Sequence, residues 1–165
     1  MPDLRFPTLL DLMMLLATAY RDGRPMRSSS ELAEALDINP VLVRRITAPL
    51  IRAGLITSIH GRRGGLQLTT PPEHITLRDI HVAAVGDKPM WDRRGADCQS
   101  HLNAGRGRAF FAQLNRQAED AVLGVLDSYT LAACRDIVLG HGGQAESPRQ
   151  VPDDLSQRSA RGRRA

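Results

Sequence analysis

The chain has 165 residues, 42% of them hydrophobic and 24% charged, with a net charge of +4. That length holds one compact domain, or a small domain with an appended helix and tail, and the composition is that of a globular chain. Two cysteines make no disulfide framework, no stretch reaches the roughly 20 apolar residues of a membrane span, and residues 1–7 show no leader pattern, so a reducing, cytoplasmic location without membrane partners is expected.

Thr8–Tyr20 sets Leu9, Leu12, Met13, Leu16, Ala17 and Tyr20 at spacings of three and four, which predicts an amphipathic helix closed by Arg21-Asp22-Gly23. Ser28 with Glu31 is a capping box for a helix through Leu36. Asp37-Ile38-Asn39 then makes a tight break, and Asn39 with Pro40 opens a second helix running to Gly54. Pro49 predicts a kink in it, because proline removes one backbone bond and clashes one turn back. Leu55–Ile59 and Leu66–Thr70 read as two strands flanking His60-Gly61-Arg62-Arg63-Gly64-Gly65, and Pro71-Pro72 ends that hairpin.

Thr76 with Asp79 is a second capping box, for a short helix to Val85 that Gly86 terminates. Residues 86–105 have no clean period and read as a connecting loop that carries Cys98 and His101. Arg106–Tyr129 predicts a long helix whose Phe111, Leu114, Ala118, Val122, Val125 and Tyr129 recur at near-heptad spacing. Such a stripe can bury against its own domain or against a partner helix. Thr130 caps a last helix over Leu131–Leu139, and residues 140–165 read as a polar, disordered tail. The expected fold is mainly α with a small β-hairpin wing: a winged helix-turn-helix over 5–85, the loop 86–105, and C-terminal helices over 106–139.

Between Ile38 and Pro72 stand five arginines, Arg44, Arg45, Arg52, Arg62 and Arg63, and no acidic residue. A one-sign block on a helix and a hairpin tip is the footprint of a phosphate backbone. The second helix turns Val43, Ile46 and Leu50 inward and Val41, Arg44, Arg45 and Ala48 outward. Its N-terminal half can enter the major groove, where arginine pairs with guanine O6 and N7 and Val41 meets a thymine methyl. Arg62 and Arg63, between glycines, can reach a groove or phosphates, whereas Arg52 reads as solvating its helix. Asn39, at the cap, completes the helix set of candidates.

NPVLVRRI, AGLITSIHGRRGGLQLTTPPEHITLRDIHVA and the later AEDAVLGVLDSYTLAA resemble the Rrf-two family of bacterial winged-helix regulators over roughly residues 5–139. The resemblance implies a homodimer built on the long helix, so that the stripe from Phe111 to Tyr129 becomes the dimer interface and 86–105 a sensor loop. It implies a partly palindromic double-stranded operator, recognition-helix contacts at Val41, Leu42, Arg44 and Arg45, and wing contacts around His60–Arg63. His60 departs from the arginine carried by part of the family at the wing, and Arg62 or Arg63 is expected to take that role.

Cluster-binding members of the family carry three cysteines in the loop before the dimer helix. Here Cys98-Gln-Ser-His101 matches only the last cysteine and a following histidine, and a [2Fe–2S] cluster wants about four protein ligands. No cofactor is therefore expected, an iron–sulfur regulator with non-standard ligation being the alternative. Cys98 lies among Arg93, Arg94, Arg106 and Arg108, and positive charge makes a thiol more acidic and reactive, so a redox switch stands beside a purely structural cysteine. Cys134 reads as a core residue. His74 and His81 fit no zinc spacing. A Cys98–His101 nucleophile–base pair lacks an orienting third group, so no enzyme is expected. The reading is a sequence-specific DNA-binding transcriptional regulator, a repressor, with a protein-interaction module as the other alternative.

Overall fold

A computed structural model describes residues 5–61, 64–86 and 106–140, the side chains of Arg106 and Arg108 excepted. The expected sensor loop with Cys98 and His101, the wing-tip arginines and the tail beyond Gly140 lie outside these residues. The chain runs α1 (Arg5–Arg21), β1 (Met26–Arg27), α2 (Ser29–Ala35), α3 (Pro40–Arg52), β2 (Ile56–Ile59), β3 (Gly65–Leu68), a 3-10 turn (Pro72–His74), α4 (Leu77–Val85), α5 (Arg106–Asp127) and α6 (Leu131–Val138). It is mainly helical with a small winged sheet.

α1 lies at the centre because its apolar face has no solvent-facing option: Leu12, Met13, Leu16 and Ala17 are wholly buried. It packs on α4, α6 and β3. Around it close Leu32 of α2, Val43 and Leu50 of α3, Ile56, Leu66 and Leu68 of the wing, Ile80 of α4 and Leu131 of α6. Fully burying each such side chain contributes about 1.5–3 kcal/mol. Tyr20 departs from the expected stripe: it is 40% exposed, and Ala19 is buried in its place. At that last turn the chain folds back towards β1, with the Arg24 N–H donating to the Ala19 carbonyl at 2.9 Å.

Both capping boxes form. The Ser28 N–H donates to Glu31 Oε2 at 2.7 Å, and the Glu31 N–H donates back to Ser28 Oγ at 3.2 Å. Thr76 and Asp79 do the same for α4, at 2.9 and 3.1 Å. Pro49 lies inside α3, but helical bonding resumes at once with the Ala53 N–H on the Pro49 carbonyl, so the helix continues to Arg52.

The sheet has the order β1-β3-β2, antiparallel throughout, with Met26 opposite Gln67 and Thr57 opposite Gln67 on the other side. β1 is an addition to the expected hairpin. A second tie joins α4 to the α5–α6 corner: Thr76 and Thr130 form an antiparallel bridge, the Leu77 N–H donates to the Tyr129 carbonyl at 3.0 Å, and the Leu131 N–H to the Ile75 carbonyl at 2.7 Å. His81 is half-buried and meets the Phe6 ring edge-on at 5.1 Å.

Candidate nucleic-acid interface

α3 is presented as a rod with one buried and one bare face. Asn39 Oδ1 accepts the Val41 N–H at 2.7 Å, so this side chain starts the helix, and Pro40 fills the first position. Val43, Thr47 and Leu50 are wholly buried against the core. Thr47 escaped the expected inward row because its hydroxyl disguises it; buried, that hydroxyl donates to the Val43 carbonyl at 2.8 Å, which removes the desolvation cost. On the opposite face Val41 is 70% exposed, and Asn39, Leu42, Arg44 and Arg45 are exposed with it. Ala48 is half-buried.

No acidic residue stands in the first turn of α3, whose free N–H groups favour an anion. Among the described residues the ion pairs fall elsewhere: Arg21 and Arg135 on Asp136, Arg27 on Glu31, Arg78 on Asp127. The charge of Arg44 and Arg45 thus faces outward.

The wing is fixed to this helix at its base. Gly54, with φ +71°, turns the chain out of α3, and Thr69 then holds the returning strand. Its N–H donates to the Leu55 carbonyl at 3.1 Å and its hydroxyl to the Gly54 carbonyl at 2.5 Å. At the other end His60 is exposed and Gly61 takes φ +117°, with the Gly64 N–H donating to the Gly61 carbonyl at 2.9 Å. A Cβ at Gly64 would collide with the Ile59 carbonyl, and one at Gly65 with the Arg27 carbonyl of β1. The glycines are there because strands pass too closely for a side chain.

Along α5 the expected seam divides. Leu114 and Val122 are exposed, Val125 is 49% exposed, and Phe111 and Ala118 are half-buried. Phe110, outside the expected set, is 67% exposed. Tyr129, counted in that set, packs with Leu126 against the core of its own domain, because it belongs to the turn tied to α4.

Cys134 lies half-buried on α6 with its Sγ 3.9 Å from Met14 Sδ. Burial, and then the nearby Asp11 carboxylate, push its thiol above the ordinary cysteine range. That favours a neutral, inert thiol. No group of three His, Cys, Asp or Glu suited to a metal occurs among the described residues.

A helix-turn-helix with an outward basic face and a glycine-bounded wing defines a DNA-binding protein of the winged-helix class. Comparison with known proteins names the group. The profile of Rrf2, described as an iron-dependent transcriptional regulator, matches residues 5–136, and the chain belongs to this family. It is 29% identical over 113 residues to protein aau3 of Rhizobium meliloti, covering 67% of this chain and 70% of that one. Among solved structures, CymR of Staphylococcus aureus is 29% identical over 80% of this chain and 95% of its own, with a TM-score of 0.59. CymR of Bacillus subtilis, the global cysteine regulator of that organism, shares the fold at 23% identity, 83% and 97% coverage and a TM-score of 0.59. The protein is a DNA-binding transcriptional regulator and not an enzyme.

The iron dependence in the family description meets a chain with two cysteines, of which Cys134 is turned to Met14 as a neutral thiol. One remaining cysteine per chain does not supply the roughly four ligands that a [2Fe–2S] cluster takes. Such a cluster would need ligands other than cysteine.

Proposed function

We propose that the chain acts as a homodimeric, cytoplasmic repressor that reads a partly palindromic operator and is released by oxidation of Cys98. The observation that carries the DNA-reading part is the bare basic face of α3, with Val41, Arg44 and Arg45 outward over a floor of Val43, Thr47 and Leu50. On this reading Asn39, Val41, Leu42, Arg44 and Arg45 meet base edges and adjoining phosphates in the major groove, while His60, Arg62 and Arg63 follow the wing to the flanking backbone. Residues 5–85 hold DNA, 86–105 carry the signal, and 106–139 join two copies.

The exposed Phe110, Leu114, Val122 and Val125 support α5 as the joining element, since one face of an isolated helix seldom shows that much apolar surface to water. Phe111 and Ala118 border this strip. In the sequence Cys98, with His101 three residues on, is flanked by Arg93, Arg94, Arg106 and Arg108, and positive charge close to a thiol favours the thiolate. Peroxide converts a thiolate to a sulfenic acid and is itself reduced to water.

Fluorescence anisotropy on the DNA upstream of its own coding region tests this with reduced and peroxide-treated protein. Tight binding that weakens steeply with salt, collapses on oxidation and recovers with a thiol reductant is expected. Binding indifferent to oxidation would remove Cys98 from the mechanism. Weak binding insensitive to salt would overturn the DNA-reading face.

A further inference from the structure

A groove of about 350 Å³ opens between α1, α2 and α6, and none of its walls belongs to α3 or the wing. Met14 and Leu15 of α1, Leu36 at the end of α2, and Val138 and Leu139 of α6 make it largely apolar. Val138 is 61% exposed and Leu139 also faces water, so this lining is open to a ligand. Its size falls within the roughly 300–1,000 Å³ of small-molecule sites, which combine apolar walls with few convergent polar groups.

The polar group is Arg135, which is charged, lines the groove and is only 6% exposed. Its Nε donates to Asp136 Oδ1 at 2.9 Å, its Nη2 lies 2.7 Å from the same oxygen, and its Nη1 donates to the Ala17 carbonyl at 3.2 Å. A guanidinium has five N–H donors, so these contacts leave donors over for a further acceptor. A carboxylate is an acceptor that guanidinium geometry matches, its two oxygens facing two parallel N–H groups. Asp11 lines the groove as well, six residues before Ala17 on α1, about 9 Å at 1.5 Å per residue. One end therefore offers the remaining guanidinium donors of an arginine that also holds Asp136, and the other end carries a carboxylate that repels an acid group.

We propose that this groove binds a small apolar monocarboxylate, with its head on Arg135 and its hydrocarbon along Met14, Leu15, Leu36 and Val138. Asp11 excludes dicarboxylates of similar length. Leu36 is the C-cap of α2 and is followed by Asp37 at φ +52° and by Asn39, the cap of α3. A ligand against Leu36 thus presses on the turn that aims α3, and operator affinity changes with occupancy. That second step rests on the DNA-reading role of α3 proposed above; the binding step does not.

Calorimetric titration of the full chain with octanoate, octanedioate and octanol tests the site directly. Octanoate binds saturably, and the other two bind about tenfold more weakly or not at all. Asp11→Asn brings octanedioate towards octanoate. Ala35→Phe, at an exposed position lining the groove, abolishes octanoate binding while leaving thermal unfolding near that of the parent chain. No saturable binding of octanoate, equal binding of octanol, or binding that Ala35→Phe leaves intact would overturn the site. Loss of dimer in sedimentation on Ala35→Phe, with no octanoate binding, would make the groove the seat of a second chain and overturn it too. Operator anisotropy with and without octanoate reads the second step: a shifted Kd supports it, and an unchanged one rejects the coupling. A chain that binds octanoate but no DNA would refute the α3 assignment and not the groove.

Discussion

Arg44 and Arg45 differ from the ion-paired arginines of the domain in what surrounds them. Arg21, Arg27, Arg78 and Arg135 each have a carboxylate within 4.0 Å, whereas the basic pair of α3 faces outward with Val41. Replacing whichever of them reads a base by alanine is expected to cost about 1–3 kcal/mol of specific binding and to relax selectivity at that position. One that meets only phosphate weakens all sequences alike and lowers the salt slope by about one. Anisotropy on operator and scrambled DNA separates the two, and unchanged operator affinity in both variants would remove α3 from the interface.

Glu31 gives a second test at this scale. The Ser28 N–H, then the Ser28 hydroxyl, and the nearby Arg27 hold its carboxyl below the ordinary glutamate range. The folded chain therefore binds this proton more weakly than the unfolded one. The contribution of the capping box is full above the ordinary glutamate range and is lost as pH falls through the depressed value. Thermal unfolding of Glu31→Gln should lie below that of the parent chain at neutral pH, and the two should converge in acid. A gap that persists in acid would show that the charge is not what matters there.

Among the elements, the wing depends on glycines in a way that a variant can expose. Gly64→Ala drives a methyl group into the Ile59 carbonyl, so the hairpin must shift or strain by about 1–3 kcal/mol. Denaturant unfolding should show that loss, and operator affinity should fall with it because the tip is re-aimed. Stability and affinity both equal to the parent chain would mean the wing adapts freely.

The helices were readable because capping residues and periodic apolar positions coincide: Ser28 with Glu31, Asn39 with Pro40, and Thr76 with Asp79 start α2, α3 and α4 as expected. β1 was not. Two residues, Met26 and Arg27, carry no period, and their strand exists only because β3 passes beside them. Thr47 and Arg135 were missed for a related reason. Each is a polar residue buried by tertiary contacts that supply its hydrogen bonds, and no local pattern announces them. The basic face was visible in advance because exposure of Arg44 and Arg45 follows from helical geometry alone, whereas the fate of Tyr129 hung on a long-range tie to α4.

At the scale of the whole molecule the question is what the bare side of α5 meets. Val122→Asp places a charge on it and is expected to weaken self-association and operator binding together, since a palindrome is held by two copies. Sedimentation and anisotropy on the same preparation check this. A variant that stays fully dimeric would locate the seam elsewhere, and one that loses DNA binding while still dimeric would point to a fold defect. The exposed Phe110 belongs in the same experiment, as Phe110→Asp, because its ring extends the strip towards the start of the helix.

The bridge between Thr76 and Thr130 gives α5 a mechanical character. Its C-terminal end is pinned to the start of α4 by two backbone hydrogen bonds, from Leu77 to Tyr129 and from Leu131 to Ile75. Twenty-two residues make a rod about 33 Å long at 1.5 Å per residue. A tilt of about 5° at the pinned end sweeps the far end through about 3 Å. Run in reverse, the same lever turns a displacement of a few ångströms beside residue 106 into a small rotation at its base, delivered to α4 and, through the packing of α3 on α4, to α3. A push at residue 106 arrives at the pinned end reduced in distance and raised in force.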